Sequence, residues 1–382
     1  PVDKRVPLTP LICSDLVIKY NNLEIVVQPS KIRCYTDEEY TAFGVTLQED
    51  LSDCDILMGV KEVPIEKLIP GKKYFFFSHT IKKQAHNQKL MKALIEKKIQ
   101  MIDYETLTDK NNNRIIGFGR YAGVVGAYNG ILGYGLKYDL FRIKPAHLCR
   151  DRAEMEEELK RVKLPNIKIA LTGGGRVANG AIETLSALRI RKVTAEEFLL
   201  MSFREPVYCQ LNPRDYVERP NDHNFDLNDF FKNPEHFVSK FPAFTKVTDL
   251  YISAHYWDPC SPKMFTVEDI KAPDFHISVV ADITCDMEGS VPSTIRASTI
   301  NQPFYGYNMR NNREDLPFNK DTICVMAVDN LPCELPRDAS DDFGKDLTER
   351  VLPSILGEDQ DKVIERASIC KNGKLGAGFG YL

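Results

Sequence analysis

Three apolar runs near the start of the chain end abruptly in side chains that can move protons. Residues 54–60 (CDILMGV) lead into Lys61-Glu62, residues 74–77 (YFFF) into Ser78-His79-Thr80, and residues 99–102 (IQMI) into Asp103-Tyr104-Glu105. In an open α/β sheet, ligands gather at the carboxyl ends of the strands, so Lys61, His79 and Glu105 stand where chemistry would be served. A lysine beside a glutamate can be tuned by burial and by its neighbour, and a histidine works near neutral pH with little tuning. From consecutive strands, Lys61 and His79 could converge as an acid/base pair of the kind that hydride transfer with a bound nicotinamide requires. Each also fits a plainer role. His79 could pack behind the YFFF run, and Lys61 could pair at the surface with Glu62.

A second constellation follows residues 167–171 (IKIAL), which run directly into Thr172-Gly173-Gly174-Gly175-Arg176-Val177-Ala178-Asn179-Gly180. Ile182, Leu185 and Leu188 then recur at helical spacing. Strand, glycine turn and helix in this order is the context that makes a dinucleotide-binding match informative. Gly173 would make the tight turn, Gly175 would let the backbone approach a pyrophosphate, and Ala178 stands at the third glycine position. An acidic residue for the adenosine ribose is expected about 20 residues beyond the turn. Glu196 and Glu197 lie near that distance, but so do Arg189, Arg191 and Lys192, which suit a 2′-phosphate. NAD or NADP therefore remain equal alternatives. Arg5, Arg114 and Arg120 sit in or before apolar segments and are candidates for bidentate carboxylate binding, with a surface role as the plain alternative.

Positioning these residues requires an α/β chain with parallel sheets. Leu90, Met91, Leu94 and Ile95 predict an amphipathic helix within 86–98. Residues 118–136 (FGRYAGVVGAYNGILGYGL) predict a tightly packed helix crossing between domains, its small residues allowing a second backbone close. A charged helix over 151–163 ends before Pro165. Further strands are predicted at 249–253, 277–281 and 322–328, ending at His255, Asp282 and Asp329-Asn330, with a closing helix over 338–355 and a short tail. The polar, aromatic stretch 205–244 reads as an insertion decorating the nucleotide domain.

Composition agrees with a folded chain of 382 residues: 43% is hydrophobic and 27% charged, and 50 Lys and Arg against 54 Asp and Glu leave a net charge of −4. That balance carries no electrostatic footprint for nucleic acid or an anionic membrane surface, and no apolar run is long enough to span a bilayer. No apolar segment follows Pro1-Val2-Asp3-Lys4-Arg5 as a signal peptide would require. The ten cysteines are scattered singly, without CxxC pairs or zinc-ligand spacing, which predicts reduced thiols in a cytoplasmic protein and no metal.

The motifs also carry a resemblance. Arg5-Val6-Pro7-Leu8-Thr9-Pro10, VKEVP (60–64), FFSHTIKKQ (76–84), IDYE (102–105) and RIIGFGRYAGVVG (114–126) resemble, in order, the alanine dehydrogenase/saccharopine dehydrogenase superfamily. DITCDMEGSVPST (282–294), TINQPFYGY (299–307) and MAVDNLPCELPRDAS (326–340) continue it. Within it, the chain is most similar to the lysine–ketoglutarate reductase half of aminoadipic semialdehyde synthases. The resemblance implies two Rossmann-like domains, 1–127 with 336–382 for substrate and 128–335 for NAD or NADP, with the active site in the cleft between them. It implies that lysine and 2-oxoglutarate condense to an imine that NAD(P)H reduces to saccharopine. Lys61 and His79 would be the acid/base pair with Glu105 tuning it, and Arg5, Arg114 and Lys82 would bind substrate carboxylates. Gly173, Gly174, Gly175, Arg176 and Val177 would lie at the pyrophosphate, Glu196 at the ribose, and Asp329 and Asn330 near the nicotinamide. Alanine dehydrogenase-like reductive amination with ammonia, a non-catalytic nucleotide-binding regulator and, least, a transhydrogenase subunit are the alternatives. The partners implied are small amino acids and 2-oxo acids, with no nucleic acid and no membrane; a homo-oligomer is left open. Family members carry a strand ahead of the arginine motif, so a preceding segment is expected.

Overall fold

The computed structural model describes residues 3–82, 87–221 and 223–382, the side chain of Lys82 excepted. The chain forms two compact units, one of residues 2–118 with 336–382 and one of residues 119–335.

The first unit begins with helix α1 (Pro10–Lys19), capped by Thr9, whose hydroxyl accepts the Ile12 N–H. Strands β1 (Ile56–Lys61), β2 (Lys73–Phe77) and β3 (Gln100–Asp103) pair in parallel, with helix α2 (Gln88–Glu96) in the crossover before β3. Leu90, Met91 and Leu94 of α2 bury their stripe against Tyr74, Phe76 and Met101 of the strands, the packing expected of an amphipathic crossover.

The second unit opens with helix α3 (Gly119–Lys137), followed by the charged helix α4 (Arg152–Leu159), which Asp151 caps. Strand β4 (Lys168–Thr172) runs into helix α5 (Arg176–Ala187). Next come β5 (Arg191–Lys192), α6 (Ala195–Leu200), β6 (Val207–Leu211), β7 (Leu250–Ser253), β8 (Val279–Asp282), β9 (Phe304–Asn308), β10 (Arg313–Asp315) and β11 (Thr322–Met326). The sheet order is β10-β9-β11-β8-β7-β4-β6-β5, with β9 and β10 antiparallel and the remainder parallel.

The stretch 205–244 is no decoration. Its first segment is β6, which pairs with β4 from Lys168↔Val207 to Thr172↔Leu211. Its aromatic residues Tyr216, Phe230, Phe237, Phe241 and Phe244 enter the unit's main core beside Tyr251 and Phe265. Polar residues between those aromatics disguised a buried face, because the aromatics follow no single period.

Helices α3 and α5 touch backbone to backbone. A Cβ on Gly123 would sit 1.8 Å from the Val177 carbonyl oxygen, and one on Gly180 would sit 1.9 Å from that of Arg120. The Thr184 hydroxyl donates to the Val124 carbonyl at 2.8 Å across the same contact. Glycine is therefore required at both positions, while Ala178, at the third motif position, is simply buried.

The chain returns to the first unit at residue 336 as helix α7 (Pro336–Arg350), and the tail is more than a tail. Strand β12 (Ser368–Lys371) adds antiparallel to β3, and β13 (Lys374–Leu375) to β12, giving the order β13-β12-β3-β2-β1. No described helix is long and apolar enough to cross a membrane. Of the ten cysteines only Cys260 is exposed, and burial pushes the thiols of Cys13, Cys209 and Cys324 up to about 12.

Candidate active site

In the first unit, Lys61 ends β1, His79 follows β2 by two residues, and Glu105 follows β3 by two. Because the three strands are parallel neighbours, all three groups emerge at one edge of one sheet, with Lys61 paired to Phe77 in the register. The β1–β2 register shifts between Met58 and Lys61, which breaks regular pairing just before the lysine. Lys61 is exposed. His79 Nδ1 lies 3.6 Å from Glu105 Oε2, an ion-pair distance when the imidazole is protonated. His79 holds φ at 55°, in the left-handed region, and the Asn87 amide donates to its carbonyl at 3.0 Å.

An aromatic cluster backs this edge. Phe77 and Tyr104 lie 5.1 Å apart, and Phe118 stacks on Phe343 of α7 at 4.4 Å with planes 9° apart. The Arg5 guanidinium lies 4.0 Å above the Phe118 ring and that of Arg114 lies 5.6 Å from the Phe77 ring. Both candidate carboxylate binders thus rest on this one aromatic cluster. Arg5 is buried, and its Nε and Nη2 already donate to the Asp3 carboxylate at 3.0 and 2.6 Å, the bidentate geometry a substrate carboxylate would take. Arg114 is exposed, and its Nε donates to the Ile116 carbonyl. Lys82 lies outside the described side chains. Arg120 belongs to the other unit and forms a two-point ion pair with Glu183, which also takes Arg152; its role there is to tie helices together.

The second unit holds the glycine turn at the carboxyl end of β4. Gly173 has φ of 114°, and a Cβ there would meet the Ala254 carbonyl oxygen at 2.5 Å, so only glycine fits. Its N–H donates to the Leu211 carbonyl at 2.9 Å, and the Gln210 amide donates to its carbonyl at 3.0 Å. Gly174 and Gly175 are exposed, and Gly175 caps α5 with no side-chain hydrogen bond and open space where a Cβ would stand. Uncapped N–H groups, the positive end of a 12-residue helix and an open backbone fit a pyrophosphate. Arg176 and Val177 begin that helix, and Asp329 and Asn330 follow β11 at the same edge of the sheet.

The expectation for Glu196 does not survive the topology. It rested on a distance of about 20 residues beyond the turn, but the strand beside β4 is β6, and β5 lies at the sheet edge. Glu196 is an exposed residue in the first turn of α6. The residue following β6 is Asn212, whose Oδ1 lies 3.0 Å from where a Cβ on Gly174 would stand. Lys192 reaches the turn indirectly, donating to Gln210 Oε1 at 2.8 Å.

His255 and Asp282, noted at strand ends, are interior groups. His255 Nδ1 lies 2.8 Å from Thr172 Oγ1, and burial lowers its pKa to about 4. Asp282 accepts from the hydroxyls of Thr284 and Thr294, each at 2.6 Å, while burial raises its pKa. Sequence reasoning missed Asp103 and Ser78, which the strand-end signal had flagged only as neighbours of Glu105 and His79, and Phe343, which no local signal announces.

Comparison with known proteins places this geometry. Residues 1–125 match the model for the alanine dehydrogenase/PNT N-terminal domain. Among curated proteins, the alpha-aminoadipic semialdehyde synthase of Arabidopsis thaliana is 28% identical, covering 100% of this chain and 40% of that protein. The mitochondrial one of Bos taurus is 29% identical, with 100% and 46% covered. This chain therefore spans less than half the length of those relatives. The saccharopine dehydrogenase (NAD⁺, L-lysine-forming) of Emericella nidulans is 23% identical over 93% of this chain and 89% of its own. Among solved structures an L-alanine dehydrogenase superposes with a TM-score of 0.63 at 15% identity, covering 98% of this chain and 93% of its own. The fold is the two-domain α/β fold of alanine dehydrogenase.

Proposed function

We propose that the protein is a nicotinamide-nucleotide-dependent oxidoreductase acting on CH–NH groups, interconverting lysine plus 2-oxoglutarate and saccharopine. The observation that carries this reading is the delivery of Lys61, His79 and Glu105 to one sheet edge, above an aromatic cluster that holds two arginines. The aminoadipic semialdehyde synthase and saccharopine dehydrogenase relatives support the substrate class. The amine of lysine and the ketone of 2-oxoglutarate lose water to form an imine, whose reduction gives the secondary amine of saccharopine. When bound, NADH or NADPH would supply the hydride in that direction, and NAD⁺ or NADP⁺ would accept it in the other. Lys61 and His79 take the proton from the attacking amine and return protons to the departing oxygen and to nitrogen. Glu105 stands beside His79, its Oε2 3.6 Å from Nδ1. Arg5, Arg114 and Lys82 hold carboxylates, and Gly173, Gly174 and Gly175 with Arg176 and Val177 receive the pyrophosphate. The scattered thiols favour a reducing, cytoplasmic setting.

The test is consumption of NADH and of NADPH in two mixtures, lysine with 2-oxoglutarate and pyruvate with ammonium. Turnover confined to the first is expected, and the active nucleotide identifies the cofactor. Turnover confined to the second would replace the proposal with alanine-type chemistry, and nucleotide binding without turnover in either would point to a regulator.

A further inference from the structure

Asp103 closes β3 and is wholly buried, a costly place for a carboxylate unless its hydrogen bonds do something specific. Its two oxygens serve two strands. Oδ2 accepts both the backbone N–H of Ser78, at 2.9 Å, and the Ser78 hydroxyl; Oδ1 accepts the backbone N–H of Glu105 at 2.7 Å. The Ser78 hydroxyl also lies 2.8 Å from Thr80 Oγ1, on the far side of His79. The Thr106 hydroxyl anchors the Asp103 carbonyl at 3.0 Å.

One carboxylate therefore fixes the residue preceding His79 and the peptide of Glu105 at once. Asn87 fixes the other side of His79 through its carbonyl. A histidine in the left-handed region is held there only when its surroundings over-determine it, and these bonds are the surroundings. The side chains so placed face each other at 3.6 Å.

We infer that Asp103 is the positioning residue of the acid/base pair: through Ser78 and the Glu105 peptide it sets the separation and orientation of His79 and Glu105. The inference rests on the reading of His79 as a proton-transfer group. A mere staple between β2 and β3 would stabilise the sheet without bearing on the imidazole, and the two roles separate experimentally.

Asp103→Asn keeps shape and one accepting oxygen, so it cannot accept from both Ser78 and the Glu105 peptide N–H. Expected is a fall in kcat of about tenfold or more, as misplacement of a reacting group produces, with direct NADH or NADPH binding by fluorescence unchanged. The His79 ring cross-peak in a ¹H–¹³C spectrum, identified by its loss in His79→Ala, is expected to move. A folded Asp103→Asn protein with wild-type kcat and an unmoved His79 cross-peak would overturn the inference. Should that variant not fold, Ser78→Ala removes only the hydroxyl bond. It is expected to displace the same cross-peak and lower kcat roughly threefold, and wild-type values of both would overturn the inference equally. Unchanged turnover in His79→Ala would instead sink the acid/base reading, while the cross-peak in Asp103→Asn still decides whether Asp103 positions the ring.

Discussion

Lys61 and His79 could be singled out because parallel strands deliver their last residues to a common edge, so a side chain just past an apolar run already has an address. Glu105 shares that address, but what holds it in place does not show in the sequence. Asp103 acts through a bond to the neighbouring strand, and nothing in IDYE says which oxygen meets Ser78. Glu105 is placed by the other oxygen of the same carboxylate, its N–H held at 2.7 Å from Asp103 Oδ1. If Lys61 and His79 transfer protons, Lys61→Met and His79→Ala will each slow lysine/2-oxoglutarate turnover by roughly 10²-fold or more. Wild-type rates in steady-state assays of both variants would remove them from the mechanism.

At the level of elements, the glycines divide into two kinds with opposite consequences. Gly180 is occupied space, because α3 lies against it with the Arg120 carbonyl 1.9 Å from any added Cβ. Gly175 is empty space, with nothing within 4 Å, at the uncapped start of α5. Gly180→Ala must therefore force the helices apart and is expected to cost about 1–3 kcal/mol, read as a lowered melting temperature. Gly175→Ala is expected to melt as the wild type does but to bind NADH or NADPH about tenfold more weakly, the methyl standing where a pyrophosphate approaches. Equal melting of both variants would contradict the packing, and unchanged nucleotide affinity in Gly175→Ala would remove the turn from the binding site. Both kinds of glycine read alike in the sequence. What separates them is the neighbour, and Gly180 meets a helix that begins some 60 residues earlier, at Gly119.

For the whole molecule, groups buried in the two units make stability depend on pH. His255 stays neutral in the folded chain down to about 4, from an ordinary value of 6.5, whereas the unfolded chain protonates it below about that value. Between those limits the unfolded state binds the extra proton, so stability falls as pH drops from 6.5 toward 4, by about 3 kcal/mol from this group alone. Asp103 and Asp282 act in the opposite sense. Burial raises both, so their cost near neutrality is relieved as pH falls. The difference between wild type and His255→Gln isolates the histidine: denaturant melts from pH 7 to pH 4.5 should show a flatter loss of stability in the variant. Parallel curves would mean that His255 is solvated or charged in the folded chain.

The amino-acid sequence by itself determined what short-range pattern can specify. The β4–turn–α5 unit follows from IKIAL, three glycines and a 3.6-residue period, and the strand ends at Lys61 and Asp103 follow from where the apolar runs stop. Those signals are local, because strand ends, tight turns and helix faces depend on a few consecutive side chains. Only the tertiary structure decided which strand lies beside which. Inserting β6 between β4 and β5 moved Glu196 from the glycine turn and put Asn212 there, and it turned the stretch 205–244 from ornament into core. Tertiary packing likewise brings Phe343 and β12, from the end of the chain, to the first unit, where β12 joins the sheet and Phe343 stacks on the ring beneath Arg5. Strand adjacency is set by the burial of faces contributed by residues far apart in the chain, and no window of sequence contains both partners.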